Sequence, residues 1–202
     1  MKLYYSPGAC SFASHIVLHE LALPHEVERV NLRNRQTAAG EDFTAINPKG
    51  YVPALVIEPG VVLTEGTAVL QYLADLKPQQ GLAPAVGSLG RYRLAEWLGY
   101  INSEIHKNYS PLFNPAATDD MKSLAKAALL RRYAYAEDAL SRHPYLLGEQ
   151  FSVADAYLYT TLTWSGRVGV DLTGMTHLLD FQQRVSKRPS VIAAAAVEFP
   201  ST

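Results

Sequence analysis

Short apolar runs punctuated by turn residues fill the first third of the chain, and only helical spacing follows. Lys2-Leu3-Tyr4-Tyr5 reads as a strand stopped by Ser6-Pro7-Gly8. From about Cys10 or Ser11, apolar Ala13, Ile16, Val17 and Leu21 recur at helical spacing until Pro24 ends the pattern. Residues 25–32, HEVERVNL, alternate well enough for a second strand. Residues 34–43 are polar and loop-like, with room for a short helix. Two β-branched runs, Ala54-Leu55-Val56-Ile57 and Val61-Val62-Leu63, flank Glu58-Pro59-Gly60 and suit a hairpin. A helix then runs from near Glu65 to Leu76, with Ala68, Val69, Tyr72, Leu73 and Leu76 on one face.

The order βαβ, α, ββ, α is that of a thioredoxin-like α/β half, residues 1–78. Residues 79–87, rich in glycine and proline, read as a linker. Beyond it no strand signal survives, so residues 88–202 are expected to form an all-α domain. Ser88 can cap a long helix striped by Leu94, Trp97, Leu98, Ile101 and Ile105. Asp119 or Asp120 opens an alanine-rich helix ending near His143-Pro144. Ser152 and Asp155 supply a capping-box-like start, with Asp where Glu or Gln is commoner. The last helices are expected near 177–187 and 190–197.

Composition narrows the class. The 202 residues are 48 % hydrophobic and 18 % charged, an ordinary globular balance. With 18 basic against 19 acidic side chains, there is no excess of positive charge to neutralise phosphates, so neither nucleic acid nor an anionic membrane is an expected partner. One cysteine excludes an intramolecular disulfide. The start lacks a secretory pattern and no 18-residue apolar run occurs, so a cytoplasmic, soluble protein is expected.

Candidate chemistry gathers at three places. A thiol at a helix N-terminus, Cys10, meets unpaired N–H groups and the positive end of the dipole, which favour thiolate; a lone cysteine is more commonly buried and inert. Pro53 cannot donate to a ladder, and the Val52–Pro53 bond is a candidate cis peptide. Such a bond turns Val52 outward, where its N–H and C=O can pair with an extended peptide. Glu65, at the mouth of the next helix, can then meet an ammonium group.

NPKGYVPAL followed by LTEG resembles the glutathione-binding core of the cytosolic glutathione transferases. MKLYYSPGACSFASHI, Glu96-Trp97-Leu98, Glu104-Ile105-His106-Lys107 and LLGEQFSVADAYL resemble the bacterial beta class, and the likeness covers essentially the whole chain. It implies a homodimeric transferase, joined through the third and fourth helices, that uses glutathione as co-substrate against small hydrophobic electrophiles. Cys10 is implied beside the glutathione sulfur, where it hydrogen-bonds or forms a mixed disulfide. His106 and Lys107 are implied at the sulfur end. Tyr51, Val52, Pro53, Glu65 and Gly66 are implied to hold the tripeptide, with Arg35 on its glycine carboxylate and Glu104 reaching across the dimer. Tyr5 and Ser11 match positions near the sulfur; their plainer readings are strand packing and a helix cap. Tyr109, Phe113, Trp164 and Arg167 are implied to line the electrophile pocket, although aromatics at helical spacing more often form core. Asp155 reads as a structural cap. No metal ligand is assigned.

The likeness leaves two other readings open. One is glutathione-dependent thiol–disulfide exchange or reductive dehalogenation. The other is a non-catalytic protein of this fold that binds ligands or partners. Two departures from the class pattern stand out. Gly99 replaces an asparagine that nears the neighbouring subunit's glutathione, and Ala13 removes the second cysteine that dithiol chemistry needs. The Ser-Ser-Cys signature of the zeta-class isomerases is missing from residues 6–11.

Overall fold

A computed structural model describes residues 1–200. The chain forms two compact units, Met1–Gln80 together with the chain from Lys187 onward, and Gly81–Ser186.

The first unit is a five-stranded sheet with helices, as the α/β reading expected. Its strands are β1 (Lys2–Tyr5), β2 (Glu26–Asn31), β3 (Gln36–Thr37), β4 (Ala54–Glu58) and β5 (Val61–Thr64), ordered β3-β2-β1-β4-β5. Helix α1 (Ser11–Glu20) carries the chain from β1 to β2, so these two strands run parallel, with Leu3 opposite Val27. The β4–β5 hairpin adds antiparallel to β1, with Leu3 opposite Leu55. Residues 11–18 of α1 are all buried, because the helix packs against both α2 (Gly66–Leu76) and α9 (Pro189–Glu198). Phe12, Ile16 and Val17 of α1, Leu3 of β1, Leu55 of β4 and Leu70 of α2 are all buried in this unit.

Three features depart from the sequence expectation. β3 lies inside the expected loop and pairs antiparallel with β2, Val30 opposite Thr37. The short helix there is one 3₁₀ turn, Phe43–Ala45, capped by Asp42; its Phe43 packs with Tyr4, Val30, Val52 and Ala54. The final helix, α9, was expected with the helical half but packs on α1. There Glu198 accepts the Gly8 N–H at 2.9 Å, and Arg188 and Ser190 both reach Glu20.

The second unit is helical. Ser88 Oγ accepts the Arg91 N–H at 3.2 Å and starts α3 (Leu89–Tyr100). The helix then changes pitch twice, through a π turn (Ile101–Ile105) and a 3₁₀ turn (His106–Tyr109), before the short α4 (Ser110–Phe113). Thr118, one residue before the expected start, caps α5 (Asp119–Leu140), whose first turn holds Asp119 and Asp120. α6 (Val153–Leu162) is buried on every face. Asp155 accepts from the N–H groups of Leu146 and Ser152 and from the Ser152 hydroxyl at 2.6–2.9 Å, which makes it the cap that was expected. Helices α7 (Ser165–Val168) and α8 (Thr176–Ser186) complete the unit. No helix among the described residues is long and apolar enough to cross a membrane.

Candidate active site

In the first unit, Cys10 is the residue that enters α1, and its Sγ lies 3.0 Å from the Val52 carbonyl oxygen. The thiol donates, so a backbone carbonyl far along the chain fixes its direction. The Val52–Pro53 bond is cis, as expected. Asn47, itself buried, donates from Nδ2 to the Tyr51 carbonyl at 2.6 Å and so fixes the approach to that bond. Tyr51 is exposed while Val52 is buried.

Glu65 follows the hairpin with φ 70° and immediately precedes α2. The first N–H groups of that helix have no intrahelical partners and favour an anion. The Glu65 carboxylate pairs with Lys49 Nζ, which also donates to Thr64 Oγ1 at 2.8 Å. Lys49 is a polar neighbour that the motif reading passed over. Arg35, also at positive φ (57°), lays its guanidinium over Gly50. A Cβ at Gly50 would stand 3.2 Å from Arg35 Nε, so the glycine makes room for the arginine as well as taking φ +68° itself.

Tyr5 fits its plainer reading as strand packing, whereas Ser11 is not the helix cap of its plainer reading, since Cys10 holds the cap position without a side-chain hydrogen bond. The Ser11 hydroxyl is fully buried, accepts the Ser6 N–H at 3.2 Å and faces the Ser6 carbonyl, which ties the turn after β1. Tyr5 is buried on β1 with its ring 5.8 Å from that of His15, and burial followed by the Glu198 charge pushes its hydroxyl pKa up.

In the second unit, the two changes of pitch after α3 set His106 and Tyr109 against Trp164. The His106 and Trp164 rings are 4.9 Å apart, Tyr109 and Trp164 5.2 Å, and Phe113 and Trp164 5.8 Å. Arg167 stands 6.0 Å over Phe113. The four expected pocket residues therefore form one aromatic cluster with His106. Tyr109 and Trp164 are buried in it and Phe113 is exposed. Tyr109 and the fully buried Tyr133 join hydroxyls at 2.9 Å.

His106 Nδ1 is 2.6 Å from the Tyr157 hydroxyl, which donates to Asn102 Oδ1 at 3.0 Å. A hydroxyl that spends its proton on Asn102 must accept from the imidazole. His106 is thus protonated on Nδ1 and keeps its lone pair on Nε2. Burial, then the Lys107 charge, hold its pKa down to about 4. The lysine itself is exposed. Asn102 lies outside the quoted motifs, and Tyr157, within residues 146–158, was assigned no role; only folding brings them to the histidine. Glu104, one of the expected tripeptide contacts, accepts from Arg132 at 3.0–3.1 Å.

The profile described as glutathione S-transferase, N-terminal domain, matches residues 8–76, and that of the C-terminal domain matches residues 100–189. The chain belongs to the glutathione S-transferase family. It is 43 % identical over 198 residues to glutathione S-transferase GstA of Escherichia coli O157:H7, with 98 % of each chain covered. Among solved structures it is similar to BphK, a bacterial transferase in a ternary complex, at 48 % identity and TM-score 0.96 over 98 % of this chain and 99 % of that one. It is also similar to the bacterial beta-class transferase of Sphingomonas chungbukensis, at 41 % identity and TM-score 0.96 over the whole of both chains. At Gly99, where the class pattern has asparagine, a Cβ would meet nothing within 4 Å, so packing does not require the glycine.

Proposed function

We propose that this family member conjugates glutathione to small hydrophobic electrophiles in the cytoplasm and works as a homodimer. The observation that carries the reading is the Cys10 thiol held 3.0 Å from the Val52 carbonyl, beside a cis Val52–Pro53 bond that Glu65 and the start of α2 follow. In this reading glutathione extends along Tyr51, Val52 and Pro53. Its γ-glutamyl carboxylate takes the first N–H groups of α2 around Gly66, and its ammonium shares Glu65 with Lys49. Arg35 receives the glycine carboxylate. Cys10 donates to the glutathione sulfur, neutral His106 offers its Nε2 lone pair to the thiol as a hydrogen-bond acceptor, and the Lys107 charge favours the thiolate. Tyr109, Phe113, Trp164 and Arg167 receive the electrophile.

A shallow aromatic pocket in which exposed Tyr135 lies against half-buried Tyr100 and buried Trp97, with ring centroids 5.1–6.0 Å apart, supports pairing through α3 and α5, the third and fourth long helices. Glu104 would complete the partner's site from there. The reading is tested by retention on immobilised glutathione together with turnover of a chloronitroaromatic, in which thiolate displaces chloride. Retention with no turnover of any electrophile in a panel would leave a binding protein. Light scattering should give twice the subunit mass at micromolar concentration.

The half-buried Cys10 favours a second activity on the same site. Its thiolate attacks glutathione disulfide, forms the Cys10–glutathione disulfide and releases glutathione thiolate. Mass spectrometry should find one adduct per subunit, reversed by dithiothreitol; a folded protein that takes none excludes this reading.

A further inference from the structure

Three of the chain's six histidines meet in the first unit, where the family's chemistry gives them no role. His15 and His19 stand four residues apart on α1, so both leave the same face of the helix. The chain turns at Ala22 and Pro24 and brings His25 back just ahead of β2. The ring centroids of His15 and His19 are 5.0 Å apart, those of His19 and His25 4.9 Å, and those of His15 and His25 5.7 Å. One ring nitrogen from each lies within 4.8 Å of the other two.

We propose that His15, His19 and His25 bind one divalent transition-metal ion of the zinc class, with Glu198 orienting His15 from behind. The hydrogen bonds fix the tautomers that ligation needs. His25 Nδ1 is 2.7 Å from the Leu23 carbonyl, which can only accept, so that nitrogen carries the proton and Nε2 keeps its lone pair. His15 Nδ1 is 3.0 Å from Glu198 Oε1, and the other oxygen of the same carboxylate takes the Gly8 N–H. His15 therefore also turns a lone pair on Nε2 into the cluster.

That Nε2 and the Nε2 of His19 are both buried and have no hydrogen-bond partner. Buried polar atoms are nearly always paired, and two orphans converging on one point indicate something that pairs with both. Carboxylate, imidazole and metal in line is the usual outer-shell arrangement for a ligating histidine. A dication also offsets the charge of Glu198, whose side chain is wholly buried.

Three imidazoles suit zinc, cobalt, nickel or copper rather than calcium or magnesium. Tetrahedral zinc–nitrogen bonds of about 2.0–2.1 Å set nitrogens about 3.4 Å apart. His19 and His25 are half-buried and can close the remaining distance by side-chain rotation, while His15 stays pinned by Glu198. Water would take the fourth position.

Cobalt(II) titration of the chelator-stripped full chain tests this directly. The expected result is one ion per chain, the intense visible bands of four-coordinate cobalt, their displacement by zinc, and a melting temperature that rises with added zinc. His19→Gln and His25→Gln should each weaken binding by at least about tenfold. His143→Gln and His177→Gln should leave it unchanged. No uptake at high-micromolar metal, a six-coordinate spectrum, binding indifferent to His19→Gln and His25→Gln, or binding removed by Cys10→Ala would each overturn the site. The readout uses neither glutathione nor turnover, so it stands or falls apart from the transferase reading.

Discussion

Cys10 Sγ donates to the Val52 carbonyl at 3.0 Å, and in the proposed function the same proton turns to the glutathione sulfur. A hydrogen bond to a charged sulfur is worth about 1.5–3 kcal/mol, so Cys10→Ala should slow conjugation by roughly ten- to a hundredfold. Cys10→Ser keeps a donor and should be milder; both should end disulfide exchange. Steady-state kinetics on the three proteins checks the order, and wild-type conjugation in the alanine variant would move thiol activation elsewhere. His106 supplies a pH prediction. Its folded pKa is down at about 4, against 6.5 for the free side chain. Between those values the unfolded chain binds the proton and the native state does not, so stability is full above about pH 6.5 and falls as pH drops toward 4. Asp155, raised to about 6 by burial, acts in the opposite sense between about pH 4 and 6. Denaturant titrations of wild type and His106→Gln across this range isolate the histidine: the difference between them should shrink on acidification. The sequence pointed to His106 and Cys10 because each sits in a contiguous motif. It gave no role to Tyr157, inside a motif but 51 residues from His106, or to Asn102, which reaches the histidine only through the Tyr157 hydroxyl.

Elements with strong ends and regular stripes were readable, and those whose reason is tertiary were not. Ser88 announced α3, and Ser152 with Asp155 announced α6, because a cap is a local hydrogen bond. Strand β3 is two residues long, too short to alternate, and exists because β2 offers it an edge. The apolar stripe Leu94, Leu98, Ile101 and Ile105 runs smoothly through the change of pitch that places His106, since core packing tolerates a π turn that hydrophobic spacing does not register. Asp155 gives the element-scale prediction. Asp155→Ala would strand two buried backbone N–H groups and the Ser152 hydroxyl, and should cost about 2–4 kcal/mol at neutral pH. Urea unfolding checks it; a loss under about 1 kcal/mol would mean that water or a neighbour takes over the donors.

At the scale of the whole chain, the two units divide between Gln80 and Gly81, and the return of the last helix to the first unit has no signal in composition. α9 resembles any short alanine-rich helix, and only the pairing of Glu198 with Gly8 and His15, and of Arg188 with Glu20, assigns it to α1. A fragment of residues 1–80 lacks those partners and leaves one face of α1 uncovered. It should be largely unfolded by circular dichroism and proton NMR, whereas the full chain unfolds cooperatively; a folded fragment would contradict this. The same arrangement bears on how the protein is made. A ribosome releases the chain in order, so α1 emerges and waits, with an apolar flank open, until Glu198 follows 183 residues after His15. The unit that holds α1 is thus translated before Gly81–Ser186 but closed after it, and for that interval it is the part of the newborn chain most in need of a chaperone.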